Sequence, residues 1–202
     1  MIDLLQDVSR ETIDRLRSFE DIVVKWTPKI NLVSRQDRSV VWDRHILDSM
    51  QMYSLAPKGF SRWVDFGSGG GFPGVVVAIL SEASKTPSTV TMIESDSRKA
   101  AFLRAALRET GARATVINDR IEQVRPQNAD VVSARALADL ASLLQLAKPH
   151  MNADATCIFA KGAKWRTELS EAETKWKFNH AVATSNLDPD AAILSIRELS
   201  RA

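Results

Sequence analysis

From residue 62 onward, short runs rich in β-branched residues alternate with longer runs of helical period, and this alternation restricts the fold more than any other feature. Such a pattern is typical of a parallel sheet with helices on both faces. The last two strand-like runs are separated only by the turn-forming NLDPD, which predicts a hairpin and an antiparallel last strand. The sequence therefore predicts an α/β fold with a seven-stranded, mostly parallel sheet built from RWVDF, TVTMIE, RATVIN, DVVSA, ATCIFAK, HAVAT and AAILSIREL.

The segment before this sheet predicts helices only. Residues 2–27 carry apolar side chains at helical spacing, with Ser9 or Thr12 as the candidate N-cap and Pro28 just beyond the predicted end. A second helix is predicted over about residues 39–55. We therefore expect an N-terminal helical cap at 1–60 and a sheet domain at 61–202, joined in one compact unit.

Composition excludes several classes of protein. The chain contains no apolar run near the length of a membrane span, and its acidic, amphipathic start differs from a secretory signal. We expect a cytoplasmic monomer with no membrane partner. Cys157 is the only cysteine and the three histidines lack ligand spacing, so no metal is expected.

A glycine-rich segment, VDFGSGGGFPG at 64–74, follows the first predicted strand, where a doubly wound sheet binds its ligand. Two registers fit it. One is the dinucleotide fingerprint G-x-G-x-x-G, and the other is the acid-x-G-x-G-x-G loop of S-adenosylmethionine-dependent methyltransferases. The first uses Gly69, Gly71 and Gly74, and the second uses Asp65, Gly67, Gly69 and Gly71.

Glu94, at the end of the next predicted strand, could hold the ribose diol of either cofactor. Three features favour the methyl donor. Pro73 removes an amide that a pyrophosphate would use, and Asp65 offers a carboxylate to the ammonium of the methionine end. A hairpin at the end of the sheet is also common in methyltransferases. A nicotinamide-dependent oxidoreductase stays open as the alternative.

Charge alone does not decide whether the partner is a nucleic acid, because the net charge is only +2. From Arg98 to Arg125, however, the sequence contains seven basic and three acidic residues, which gives a local net charge of +4. A solvated helix face explains such a run more often than an RNA-binding surface does.

The chain resembles the glucose-inhibited division protein B family, the bacterial small-subunit ribosomal RNA guanine-N7 methyltransferases often called RsmG. The similar segments stand in family order: WTPKINLVSRQD, RHILDSM, VDFGSGGGFPG, ESDSRKAAFLR, DRIEQV, SARAL and AKG. The resemblance implies a Rossmann-like class I methyltransferase that uses S-adenosylmethionine. It also implies a target guanine in the 530 loop of 16S ribosomal RNA, within the small ribosomal subunit or its assembly intermediate.

Carried over residue by residue, the resemblance implies cofactor contacts from Gly67, Phe72, Ile121, Glu122 and Arg135. No catalytic residue is assigned, because guanine N7 already offers a lone pair and loses no proton on methylation. Asp48 and Asp65 have the sign to stabilise the cationic product. Candidate RNA contacts are Asn31, Arg35, His45, Arg135, Lys161 and Lys164. For His45 an interface role, and for Lys161 a plain strand terminus, remain open, as does a non-enzymatic RNA-binding or assembly factor.

Overall fold

Seven strands form one central sheet in the computed structural model, which describes residues 8–34, 40–84, 88–186 and 188–202. The strand order is β3-β2-β1-β4-β5-β7-β6, and β7 is antiparallel to both of its neighbours while the other pairs are parallel. The predicted seven strands and the antiparallel last strand are confirmed. The strands are β1 Arg62–Phe66, β2 Thr89–Ile93, β3 Thr115–Ile117, β4 Ala129–Arg135, β5 Met151–Lys161, β6 Trp176–Thr184 and β7 Ala192–Arg201.

Helices cover both faces of the sheet, and two hydrophobic clusters fill the space beneath them. The first four helices share one cluster and the last two share the other. A polar helix over Trp165–Glu173 was not among the sequence predictions, because only its residue Ala172 is buried. In the described ranges, no helix is both long enough and apolar enough to cross a bilayer. The helices are α1 Arg10–Ile30, α2 Leu47–Ser54, α3 Gly74–Glu82, α4 Ser97–Thr110, α5 Leu140–Ala147 and α6 Trp165–Glu173.

The first helix begins as predicted and ends later than predicted. Ser9 is its N-cap, and its side chain accepts the Thr12 amide at 3.2 Å. The prediction that Pro28 lies beyond the helix is wrong, because α1 continues to Ile30 with Pro28 inside its last turn. A proline there removes one helical hydrogen bond near the end. The helix then stops at Asn31, whose φ is 53° and whose N–H donates to Thr27 O at 2.9 Å.

The second predicted helix is not a uniform α-helix. A π-helical segment, Trp42–Ile46, precedes α2, whereas Ser39 lies outside the described residues. Helical periodicity cannot distinguish a π-segment from an α-helix over five residues. Such segments occur frequently at functional sites, and this one carries Arg44 and His45 of the RHILDS segment.

Candidate functional site

The carboxyl ends of β1, β2 and β4 lie level with one another. Phe66, the last residue of β1, pairs with Ile93 of β2 and with Ala134 of β4. Gly67 after β1, Glu94 after β2 and Arg135, the last residue of β4, are therefore brought to one edge of the sheet. This edge is the switch point between β1 and β4 at which doubly wound sheets bind ligands.

Glu94 joins the glycine loop to the neighbouring strand ends. Its Oε2 accepts the Gly69 amide at 2.8 Å, and its Oε1 accepts the Asp96 amide at 2.7 Å. The Asn118 side chain, just after β3, donates to the Glu94 carbonyl at 2.8 Å. The Glu94 carboxylate is thereby fixed beside the loop with 6% of the residue exposed, and each carboxylate oxygen keeps capacity for a second donor.

The glycines of the loop serve different neighbours. Gly67 and Gly69 have φ values of +59° and +48°, which glycine adopts at no steric cost. A Cβ on Gly67 would lie 2.7 Å from Leu137 Cδ1, and one on Gly69 would lie 4.0 Å from Glu94 Oε2. A Cβ on Gly71 would lie 2.8 Å from Phe19 Cζ, and one on Gly74 would lie 2.7 Å from Met92 Sδ. Two of the three glycines of the dinucleotide register are therefore explained by packing against α1 and β2.

Asp65 lies beneath the loop. It is fully buried, and its Oδ1 accepts the Ser133 hydroxyl at 2.7 Å, which in turn accepts Trp63 Nε1–H at 2.7 Å. Burial raises the pKa of Asp65 to about 6, although the hydroxyls of Ser68 and Ser133 and the Gly74 amide oppose the increase. Its predicted contact with a cofactor ammonium stays a prediction.

The buried carboxyl group predicts a pH-dependent stability difference between the wild type and Asp65→Asn. Because the folded pKa of about 6 exceeds the ordinary aspartate pKa of 3.8, the native state binds this proton more tightly than the unfolded state does. Below about pH 4, Asp65 makes its largest contribution to the free energy of unfolding. That contribution falls by on the order of 3 kcal/mol as the pH rises past 6. The asparagine of the variant does not titrate. In urea unfolding, the stability of the variant relative to the wild type should therefore increase from pH 4 to pH 7.

Asp130→Asn is the matched control for this titration. Hydrogen bonds from Ser61, Arg62 and Asn152 lower the pKa of Asp130, against the effect of burial. The stabilising contribution of Asp130 is therefore present at neutral pH and lost as the pH falls. As the pH rises, the stability of Asp130→Asn relative to the wild type should decrease. A pH-independent difference for Asp65→Asn would contradict the prediction.

Arg135 connects the end of β4 to the π-segment and to α2. Its Nη2 donates to His45 Nδ1 at 2.6 Å and to Arg44 O at 3.2 Å, and its Nη1 lies 3.5 Å from Asp48 Oδ2. The His45 ring packs against Phe72, with centroids 5.0 Å apart and the ring planes tilted by 31°. The structure thus brings together three predicted site residues, Arg135, His45 and Phe72, and Phe72 also packs on Phe19 of α1.

Beside Arg135, a cavity of about 340 Å³ opens over the ends of β4 and β5. Asp48 lies in its wall, 8% exposed, and accepts the Ser185 hydroxyl at 3.2 Å. Burial raises the pKa of Asp48, the Arg135 charge and the Ser185 hydrogen bond lower it, and Asp188 raises it again. Lys161 is also part of the wall.

Lys161 is held by internal partners. Its Nζ donates to Ala138 O at 2.7 Å and lies 2.5 Å from Glu168 Oε2, and only 8% of its side chain is exposed. Glu168 Oε2 also accepts the Leu140 amide at the start of α5, at 2.9 Å. Lys161 therefore joins β5, α5 and α6, and its predicted contact with RNA stays a prediction.

Removing the Lys161 charge should destabilise the fold. Lys161→Met leaves Glu168 without its cation, and breaking a buried pair from one side costs about 3 kcal/mol. Glu168→Gln keeps an acceptor for Leu140, so the double variant should recover part of the loss in a urea-unfolding cycle. Unchanged stability combined with weaker RNA binding would instead favour an RNA contact.

The remaining predicted residues occupy varied positions. Ile121 is buried in a 3-10 turn after β3, and Glu122 beside it is exposed. Asn31 and Lys164 are exposed at the end of α1 and the start of α6. Arg35 lies outside the described residues.

Part of the predicted basic run is already paired. Arg98 lies 2.8 Å from Asp96, Arg113 lies 3.1 Å from Glu82, and Arg104 donates to a backbone carbonyl at 3.1 Å. These pairs reduce the charge that the run presents to a polyanion.

Sequence reasoning missed several residues that shape the site. Ser133 and Leu137 lie within the quoted SARAL segment, so the segment itself could have indicated them. Ser185 and Glu168 carry no local pattern, since they reach the site only through the β6–β7 turn and α6.

Known proteins resemble this chain in sequence and in fold. It is 48% identical over 195 residues to "Ribosomal RNA small subunit methyltransferase G" of Ruegeria pomeroyi, covering 96% of this chain and 95% of the relative. The protein of the same name from Gluconobacter oxydans is 48% identical over 194 residues, covering 96% and 97%.

Solved structures with low sequence identity share the fold. A methyltransferase from Geobacter sulfurreducens superposes with a TM-score of 0.59 at 18% identity, covering 91% of this chain and 90% of that one. M. jannaschii TYW2 in complex with AdoMet gives a TM-score of 0.58 at 14% identity, covering 81% and 79%. The predicted Rossmann-like methyltransferase fold is confirmed. Since the family model described as rRNA small subunit methyltransferase G also matches residues 12–191, the chain belongs to the GidB family.

Proposed function

We propose that this protein transfers a methyl group from S-adenosylmethionine to N7 of a guanine in 16S ribosomal RNA, in the 530 loop. The observation that carries the proposal is the contact between Gly69 and Glu94, because it places a glycine loop and an acidic strand end in one site. Family membership supports ribosomal RNA as the substrate.

The residues at the sheet edge fit S-adenosylmethionine. Glu94 offers carboxylate oxygens to the two ribose hydroxyls, and exposed Glu122 can accept from the adenine amine. Gly67 and Gly69 let the backbone approach the ligand, while Asp65 supports the loop from below. When bound, this cofactor supplies a methyl group on a positively charged sulfur.

Guanine N7 requires little chemistry from the protein. Its lone pair is available at neutral pH and no proton leaves, so the chain contributes mainly by aligning the nucleophile with the methyl carbon. The product base is cationic, and a carboxylate such as Asp48 in the adjacent cavity stabilises that charge.

The target base must leave its stack to reach the sheet edge. Arg44, His45 and Arg135 are the described residues best placed to meet the incoming strand, since they lie where the π-segment meets the cavity. Binding should depend on phosphate contacts and weaken with salt. We infer a monomer acting in the cytoplasm, where small ribosomal subunits are assembled.

The experiment is a comparison of ribosomal RNA with and without the gene, by mass spectrometry of nucleosides from the 530 loop. N7-methylguanosine should disappear in the deletion strain and return with the wild-type gene. Purified protein with S-adenosylmethionine should restore it on isolated 16S RNA or on small subunits, and the comparison of the two identifies the substrate. Unchanged N7-methylguanosine in the deletion strain would contradict methyl transfer and favour an assembly factor.

A further inference from the structure

The cavity beside Arg135 has a defined position relative to the glycine loop. It lies over the ends of β4 and β5, whereas the loop follows β1, on the other side of Arg135 in the strand order. From the cavity toward the loop, the side chains in contact are Asp48, Arg135, His45 and then Phe72. A base seated in this cavity would have one edge at Asp48 and the opposite edge toward the loop.

Asp48 and Arg135 together present an acceptor beside a donor. The carboxylate accepts only, the guanidinium donates only, and Asp48 Oδ2 lies 3.5 Å from Arg135 Nη1. Guanine carries the complementary pattern along one side, with donors at N2 and N1 followed by the O6 acceptor. Adenine has a donor amine at the position of O6, so it would set donor against donor at Arg135.

The order of atoms in guanine matches the order of side chains in the structure. Around the base, N2 is followed by N1, O6 and N7. Placing N2 and N1 on Asp48 and O6 near Arg135 directs N7 toward His45, Phe72 and the glycine loop. The reacting nitrogen then faces the proposed methyl donor.

Asp48 is suited to accept two further donors. Its present contacts are long, 3.2 Å to the Ser185 hydroxyl and 3.5 Å to Arg135, while a carboxylate has about four acceptor sites. It is also 8% exposed, so water contributes little and a ligand donor would contribute correspondingly more.

We propose that Asp48 is the residue that selects guanine, by accepting N1–H and N2–H of the target base, with Arg135 beside O6. This assignment rests on the proposed function and deepens it. It makes Asp48 a specificity-determining residue that contacts the substrate in addition to stabilising the methylated product.

The test compares guanosine with inosine, which lacks the N2 amine, at the modified position of 16S RNA in reconstituted small subunits. The wild type should methylate the inosine substrate with a kcat/KM about 10- to 100-fold lower. Asp48→Asn places an amide donor toward N1 or N2, so its kcat/KM on guanosine should fall about 100-fold. The ratio of its kcat/KM on guanosine to that on inosine should be near one. Asp190→Asn removes an exposed carboxylate in the β6–β7 turn and should keep the wild-type ratio.

One further measurement, together with the rates on guanosine and inosine, distinguishes the possible failures. Titration with S-adenosylhomocysteine should give the wild-type Kd for Asp48→Asn, which shows that the variant is folded with its cofactor site intact. Equal rates on guanosine and inosine by the wild type, or an unchanged ratio in Asp48→Asn, would overturn the proposal even where guanosine is methylated. Absence of any methylation by the wild type would instead overturn the proposed function on which this assignment rests.

Discussion

Glu94→Gln should reduce the affinity for S-adenosylmethionine about 100-fold, because it removes a carboxylate that serves both the loop and the proposed ligand. Glutamine has one acceptor oxygen and one amino group. The amino group would point at the amide of Gly69 or of Asp96, which both now donate to Glu94. Isothermal titration with S-adenosylhomocysteine measures the loss directly.

The control for this prediction is Glu109→Gln, an exposed carboxylate on α4. It changes the net charge equally and should leave the Kd unchanged. Thermal unfolding without ligand should show that Glu94→Gln remains folded. A wild-type Kd for Glu94→Gln would remove Glu94 from the cofactor site, and tight binding of a nicotinamide dinucleotide without any response to S-adenosylhomocysteine would revive the oxidoreductase alternative.

Gly71→Ala should lower the free energy of unfolding by about 3 kcal/mol, through two separate effects. The residue has φ +85°, which strains any L side chain, and its new Cβ would lie 2.7 Å from Val75 Cγ2 and 2.8 Å from Phe19 Cζ. Val75 is in α3 and Phe19 is in α1, so the methyl group would push the loop away from the cap. Urea unfolding at constant pH measures the change.

Gly111→Ala separates the two effects. Gly111 also has a positive φ, +67°, yet no heavy atom lies within 4 Å of its would-be Cβ. It should therefore cost only the backbone strain, about 1 kcal/mol. Equal losses in the two variants would show that the new methyl group at position 71 adds no steric penalty against Phe19 and Val75. Adding Phe19→Leu to Gly71→Ala should give a favourable coupling energy, since the shortened side chain removes the clash.

Much of the sheet could be predicted because its strands are encoded locally. A run such as RWVDF is β-branched or aromatic, follows a turn and precedes glycines, and β1 covers the same five residues, Arg62–Phe66. The same applies to α4, because its helical periodicity depends on nearby residues alone, and the structure adds Asp96 as its N-cap. The antiparallel β7 followed from the absence of a helix after β6.

Predictions that depended on a local pattern alone failed where that pattern was weak or ambiguous. Most of α6 is exposed, so its sequence is polar and lacks a clear apolar pattern. Pro28 suggested that α1 ends at residue 27, whereas the helix continues for three more residues to Ile30. The π-segment has no distinct period over so short a length.

By itself, the sequence determined the order of the strands and helices, the place of the glycine loop after β1 and the acid at the end of β2, because each depends on neighbours in the chain. Only the tertiary structure decided what each group touches. In the folded protein, Gly71 packs against Phe19 and Lys161 lies against Glu168. Asp65 is completely buried, and Asp48 lies beside Arg135. Close packing explains the absence of side chains at Gly71 and Gly74 and also acts at Gly67, which lies against Leu137, while ligand access is what we propose for Gly67 and Gly69. These contacts join residues far apart in the chain, and their geometry depends on how whole elements pack.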